Sequence, residues 1–174
     1  MIVCNSSPLI IIGKIKELVL LKKLYKQIII PKQVYIEVVE KGKEKKEFDA
    51  YLVENAINEG WIKVEDLTKK EIKKARYLHK KFKLSKGESE AIALAQSYKN
   101  RVLLLDGVEA REIAKAKNII LSDTLTIPLE ALVSKKINYE DFRKIFEKTI
   151  DFMKPKSDKV LKILEEAEKW KGQN

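Results

Sequence analysis

One cysteine and one histidine occur in 174 residues. A lone Cys4 excludes an intrachain disulfide and fits a reducing cytoplasm; its place in the first apolar strand makes it a buried core thiol. The single histidine, His79, falls inside a basic helix and is read as ordinary surface, because metal or nucleophilic roles need a constellation. Long apolar runs are missing too. None reaches the roughly 18 residues of a membrane span; the longest, such as Pro8 to Gly13 and Gln27 to Pro31, are strand- or helix-sized. No membrane partner is expected. The N-terminus lacks a basic region followed by a long apolar core, so no secretory signal is expected. P-loop, Gly-rich dinucleotide fingerprint and nucleophile elbow are all absent. So are internal repeats and low-complexity linkers.

What is present is charge and a core. The chain is 45% hydrophobic, which makes it globular, and its length suits one domain. Lys and Arg number 36 against 26 Asp and Glu, a net charge of +10. Such a balance favours a polyanionic partner, nucleic acid first and an anionic membrane face second. The blander reading is the Lys-, Glu- and Ile-rich surface of a heat-loving organism's protein.

Apolar periodicity alternates between strand and helix. Ile2 to Cys4, Ile28 to Ile30, Val102 to Leu105 and Ile119 to Leu121 read as short buried strands, with Trp61 to Val64 as an edge strand. Ser7 before Pro8 reads as a helix start, a hydroxyl at the N-cap and proline at the first helical position. Helices are expected from Pro8 to Gly13, Glu17 to Tyr25, Pro31 to Lys41, Phe48 to Gly60, Lys69 to Lys83, from Gly87 up to the break at Asn100-Arg101, and from Val108 to Lys117 and Leu125 to Lys135. Gly42 to Lys46 reads as a charged turn, and Asn100-Arg101 as the break before Val102. This order predicts an α/β fold, a three-layer α/β/α sandwich around a mostly parallel sheet. Residues 1–135 form that domain. Residues 136–174 form a helical extension, with Tyr139, Phe142, Phe146 and Ile150 on one face and Val160, Ile163, Leu164, Ala167 and Trp170 on another. It packs on the core or on a second copy of the chain.

Three strands end in a polar residue: Asn5, Asp106 and Asp123. If they are parallel neighbours, these side chains gather at one edge of the sheet, where open α/β folds bind ligands. Glu88 opens the helix before Asp106, and Glu37 lies on the helix after the second strand. Carboxylates clustered in a desolvated crevice need a cation, and oxygen-only ligands select a hard one, Mg²⁺ or Mn²⁺. A basic protein with an acidic metal pocket suits metal-assisted phosphodiester hydrolysis. Each residue has a duller role as well. Ser85-Lys86-Gly87-Glu88 fits a capping box. Asp106 fits a strand-to-helix turn, and Asp123 the cap of a helix starting at Thr124. Glu37 and Glu40 fit solvated helix positions, Glu37 lying nearer the apolar stripe. The helix from Lys69 to Lys83 carries Glu71 against eight Lys or Arg; it is a candidate RNA track through Lys73 and Lys74, or a solvated face.

With those residues in place, the chain resembles the PIN-domain family of metal-dependent ribonucleases, which includes bacterial and archaeal toxins. VCNSSPLIIIGKI resembles the family's first strand, acid and Ser-Pro-Leu turn. QIIIPKQVYIEVVE resembles the second strand and glutamate helix, and GESEAIALA with VLLLDGVEAR the third and fourth acid blocks. The resemblance covers about residues 1–135. It implies catalytic positions at Asn5, Glu37, Glu88 and Asp106, and metal ligands at Glu37, Glu88, Asp106 and, by a looser match, Asp123. It also implies one or two Mg²⁺ or Mn²⁺ ions and RNA cut to a 5′-phosphate and a 3′-hydroxyl. Ser7 resembles the hydroxyl near the first acid, implied to bind substrate or hydrogen-bond a ligand carboxylate or water, and Arg111 the arginine after the fourth, implied to face the substrate's phosphate. The implied partners are RNA, a small antitoxin protein and a second copy in a homodimer. Two positions depart from the pattern: Asn5 replaces the usual aspartate, and Gly107 stands where the subgroup often has a second aspartate. They leave open a weakened or inactive module binding RNA or a protein partner without cutting. A nuclease of DNA flaps or structured RNA is a further reading.

Overall fold

The computed structural model describes residues 2–99 and 102–172, so the expected break at Asn100-Arg101 lies outside the described residues. Among these residues five strands form one sheet: β1 Ile2–Cys4, β2 Ile28–Pro31, β3 Ile62–Glu65, β4 Val102–Leu104 and β5 Ile120–Ser122, in the order β3-β2-β1-β4-β5. Every pairing is parallel, with Ile2 opposite Ile28 and Val3 opposite Leu103. The expectation of a mostly parallel sheet becomes an all-parallel one.

Strand alternation explains the three layers, because successive side chains point to opposite faces. Ile2, Cys4, Ile28, Ile30 and Leu104 belong to one core. Val3, Ile29, Leu103 and Leu105 belong to the other. The first core is closed by α1 Ser6–Lys14, α2 Leu18–Tyr25, α5 Phe48–Asn58 and α9 Ile127–Val133. The second is closed by α6 Lys69–Phe82, α7 Lys86–Ala95 and α8 Val108–Lys115. Both faces are covered, as continuous apolar strands require. The tail helices, α10 Tyr139–Met153 and α11 Ser157–Glu168, place Phe142, Phe146, Ile163 and Ala167 in the first core. Among the described residues no helix is long and apolar enough to cross a membrane.

Two local expectations are corrected. Helix α1 begins at Ser6, with Asn5 in the N-cap position and making no side-chain cap bond. The Ser7 hydroxyl is therefore not a cap; it donates across the sheet edge to Asp106. The segment from Gly42 is not a turn. The helix after β2 runs as α3 Lys32–Tyr35, a π-helical segment Ile36–Glu40 and α4 Lys41–Glu44. A Cβ on Gly42 would lie 2.7 Å from the Cβ of Ala50, so glycine there serves close packing on α5. The chain turns only at Lys45 and Lys46, the latter with φ of 58°.

Candidate active site

From β1 the chain crosses towards β2, and from β4 it crosses the other way, towards β5. The junction between β1 and β4 is thus where the strand order reverses, the place where open α/β sheets bind ligands. Asn5 directly follows β1 and Asp106 lies two residues beyond β4. The Asn5 N–H donates to the Leu104 carbonyl at 3.1 Å, which locks the two strand ends together. Asn5 is 6% exposed, and its Oδ1 is buried without a hydrogen-bond partner among the described residues.

Asp106 does not cap the helix that follows it. Its carboxylate accepts from Ser7 Oγ at 2.9 Å, from the Thr124 N–H at 2.8 Å and from Thr124 Oγ1 at 2.7 Å. Three donors on one carboxylate are charge-assisted bonds that fix its orientation. Burial, and then the charge of Asp106, push the nearby Cys4 thiol well up, so it stays protonated and inert.

Glu37 sits in the π-helical segment, a distortion frequent at functional sites. Its Oε2 accepts from Ser6 Oγ, and its Oε1 accepts from Gln33 Nε2 at 3.1 Å. Glu40 lies on the exposed side, with Lys32 Nζ at 3.6 Å. Glu88 combines two expectations. Its Oε2 accepts from the Ser85 N–H at 2.9 Å, and Ser85 Oγ accepts from the Glu88 N–H, a complete capping box. Its other oxygen, Oε1, lies over Gly107, where any Cβ would collide with it. A Cβ on Gly87 would come within 2.6 Å of Glu37 Oε2. Two glycines therefore set the row: Glu37 rests on the residue before Glu88, and Glu88 rests on the residue after Asp106. Gly107 leaves no room for a side chain there unless Glu88 moves.

Asp123 accepts from the Thr126 N–H at 3.2 Å and caps the short helical turn Thr124–Thr126. Its Oδ2 meets Lys159 Nζ at 2.7 Å and Arg111 Nη2 at 3.3 Å. Arg111 also donates to the carbonyls of Leu105 and Ser122 at 2.7 and 2.9 Å, so its guanidinium is engaged within the protein. His79 has a partner that its sequence position did not reveal, the Leu84 carbonyl at 2.6 Å from Nδ1. Lys73 and Lys74 line a cleft with Tyr77, Gln96 and Lys117. Gln33, which reaches Glu37, instead faces Ile72, Arg76 and His79 on α6.

Ser6, Gln33, Thr124 and Lys159 escaped the sequence reading. Gln33 carried a signal, four residues before Glu37 on one helical face. Ser6 stood next to Asn5. Nothing local marked Thr124 or Lys159, whose partners arrive through the sheet order and the tail.

The donors that could hold a metal are all oxygens, which suits a hard divalent ion. The unpaired Asn5 Oδ1 is the feature that fits one, since a buried acceptor without a donor is costly. The carboxylates are held by their own hydroxyl, amide and N–H donors. Among the described residues no three His, Cys, Asp or Glu side chains come together as a metal-holding group.

Neither a curated protein nor a solved structure matches the chain. A family model does: DUF3368, described as a PIN domain, matches residues 1–168, past residue 135 and through both tail helices. The chain therefore belongs to the PIN-domain family, whose fold is of the nuclease type.

Proposed function

We propose that the protein is a metal-dependent endoribonuclease and the toxin of a toxin–antitoxin pair, restrained by a small partner protein. The observation that carries the proposal is the unpaired, buried Asn5 Oδ1 at the strand-order switch point, with Asp106 following the neighbouring strand. Asn5, Glu37, Glu88 and Asp106 would hold Mg²⁺ or Mn²⁺. When bound, the ion activates water and offsets charge developing on the phosphate. The protein's own part is orientation. Ser7 and Thr124 fix the Asp106 carboxylate, Ser6 and Gln33 fix Glu37, and the Ser85 N–H fixes one oxygen of Glu88. Asp123 stays with Lys159 and Arg111 as the structural anchor beside the site.

A second reading is a module that binds RNA or a protein partner without cutting. It is favoured by the neutral amide at Asn5 and by carboxylates already engaged with their own chain. Cleavage of a mixed labelled RNA pool separates the two, with Mg²⁺, Mn²⁺ or chelator, for wild type, Asp106→Asn and Asn5→Asp. The expected result is metal-dependent cutting by wild type, lost in Asp106→Asn and retained at lower metal concentration in Asn5→Asp. Cutting by Asn5→Asp alone would show a site whose activity this chain has lost. No cutting by any of the three would favour the binding module.

A further inference from the structure

Two grooves meet at the Gln33–Glu37 hydrogen bond. The first, about 350 Å³, runs between α6 and α7 and is lined by Gln33, Ile72, Arg76, Lys86, Ser89 and Glu90. The second, about 340 Å³, is lined by Glu37 itself with Ile10, Lys14, Lys41, Lys45 and Asp49. Each is at the small end of ligand-sized clefts, roughly 300–1,000 Å³. Gln33 Nε2 donates to Glu37 Oε1 at 3.1 Å, so the end of one groove touches the wall of the other.

We propose that a single RNA strand crosses the molecule along both grooves, its phosphates held by Arg76 and Lys86 on one side of Glu37 and by Lys41 and Lys45 on the other. This rests on the ribonuclease reading above and assigns the strand's path through that site. Two observations favour it.

The four cations are exposed, and none forms an ion pair within 4.0 Å among the described residues. Neighbouring Lys14, Lys32 and Lys43 are already matched by Glu47, Glu40 and Glu54. Unmatched cations lining a groove are the footprint of a polyanion.

The first groove also has a built interior. Ser89 is 1% exposed, lines the groove, and its Oγ has no hydrogen-bond partner among the described residues. Ile72 and Ala75 give an apolar wall for a base or ribose. The Glu90 carboxylate beside it is held by the protein itself, accepting from the Gln33 N–H at 3.3 Å.

Among the described residues, neither groove is lined by Phe, Tyr or Trp. Without stacking platforms, affinity along this path is mainly electrostatic.

The path differs from one over Lys73 and Lys74, which look onto Gln96 and Lys117 from another part of α6.

The test is equilibrium binding of a short fluorescent single-stranded RNA of mixed sequence, in chelator so that nothing is cut, across a salt series. The proteins are wild type, Arg76→Gln/Lys86→Gln, Lys41→Gln/Lys45→Gln and Lys73→Gln/Lys74→Gln, each checked for an unchanged melting curve. Each phosphate left without its cation lowers the slope of log K against log salt by about 0.7 for a single strand. Each of the first two double variants should therefore lower it by roughly 1.4, with the third close to wild type. Wild-type binding with unchanged slopes in both groove variants would overturn the path and leave the ribonuclease reading intact. A flattened slope in the third variant alone would move the strand to the other cleft. No RNA binding by wild type would overturn both path and ribonuclease. Tighter binding of the matching DNA strand would replace RNA as the occupant.

Discussion

Gly107 is where a small residue controls a large one. Its backbone has φ of −57°, a conformation any residue adopts, so glycine is not needed for the turn. It is needed for space, because Glu88 Oε1 occupies the volume a Cβ would take. Gly107→Ala should therefore leave the fold within about 1 kcal/mol of wild type and displace the Glu88 carboxylate. If Glu88 helps hold the ion, Mn²⁺ affinity and RNA cleavage should fall about 10–100-fold, as for disturbed outer partners of metal sites. A Mn²⁺ titration beside urea denaturation checks both halves. Equal loss of stability and metal binding would make Gly107 a packing residue only. An aspartate at this position would likewise require Glu88 to move from where it now lies.

The helical turn after β5 shows how an element is held at its start. Asp123 is 5% exposed, caps Thr126 and meets two cations. Asp123→Ala removes a cap and a charged hydrogen bond together and should cost about 2–4 kcal/mol in urea denaturation. Lys159→Ala should cost no more than about 1 kcal/mol, because that ammonium is half exposed and surface pairs are weak. If Lys159→Ala were the costlier change, the tail rather than the cap would be holding this turn. The capping role was legible, since an acid stood between a strand and a helix. The cations on Asp123 were not, because Lys159 is 36 residues away and reaches it only when α11 folds back. The other elements follow the same division. Strands and most helix faces were legible from apolar spacing, because both cores obey it. The π-helical segment was not, since a widened turn leaves the Val34, Val38 and Val39 stripe looking helical. Ser7 is not the cap that its place before Pro8 suggests; its hydroxyl meets a carboxylate, as the resemblance implies, because Asp106 follows a strand that is adjacent only in the folded sheet.

At the scale of the molecule, the question is whether the tail is an appendage or part of the same cooperative unit. Phe142 and Phe146 are 0% and 1% exposed, with ring centroids 5.2 Å apart in a stacked pair. Ile163 and Ala167 from α11 join them in the core that also holds Leu9, Leu21 and Ile28. Lys148 pairs with Glu17 at 2.8 Å, tying α10 to the start of α2. An appendage would melt separately, and its loss would leave the sheet's stability unchanged. Shared burial argues the opposite, because a cavity in close-packed surroundings is felt by all of its neighbours. Phe142→Ala should lower the stability of the whole chain by about 3–5 kcal/mol. It should do so in one transition, with the fluorescence of Trp61 near β3, read in a Trp170→Phe background, and the far-UV helix signal moving together. Two separated transitions would mean that the tail folds by itself. In that case Lys159 could leave Asp123 without disturbing the sheet, and the site's edge would be set by a detachable element. A single transition would instead couple the ion pairs at Asp123 to the stability of the strands that carry Asn5 and Asp106. Mutations deep in the tail would then weaken the site without touching it.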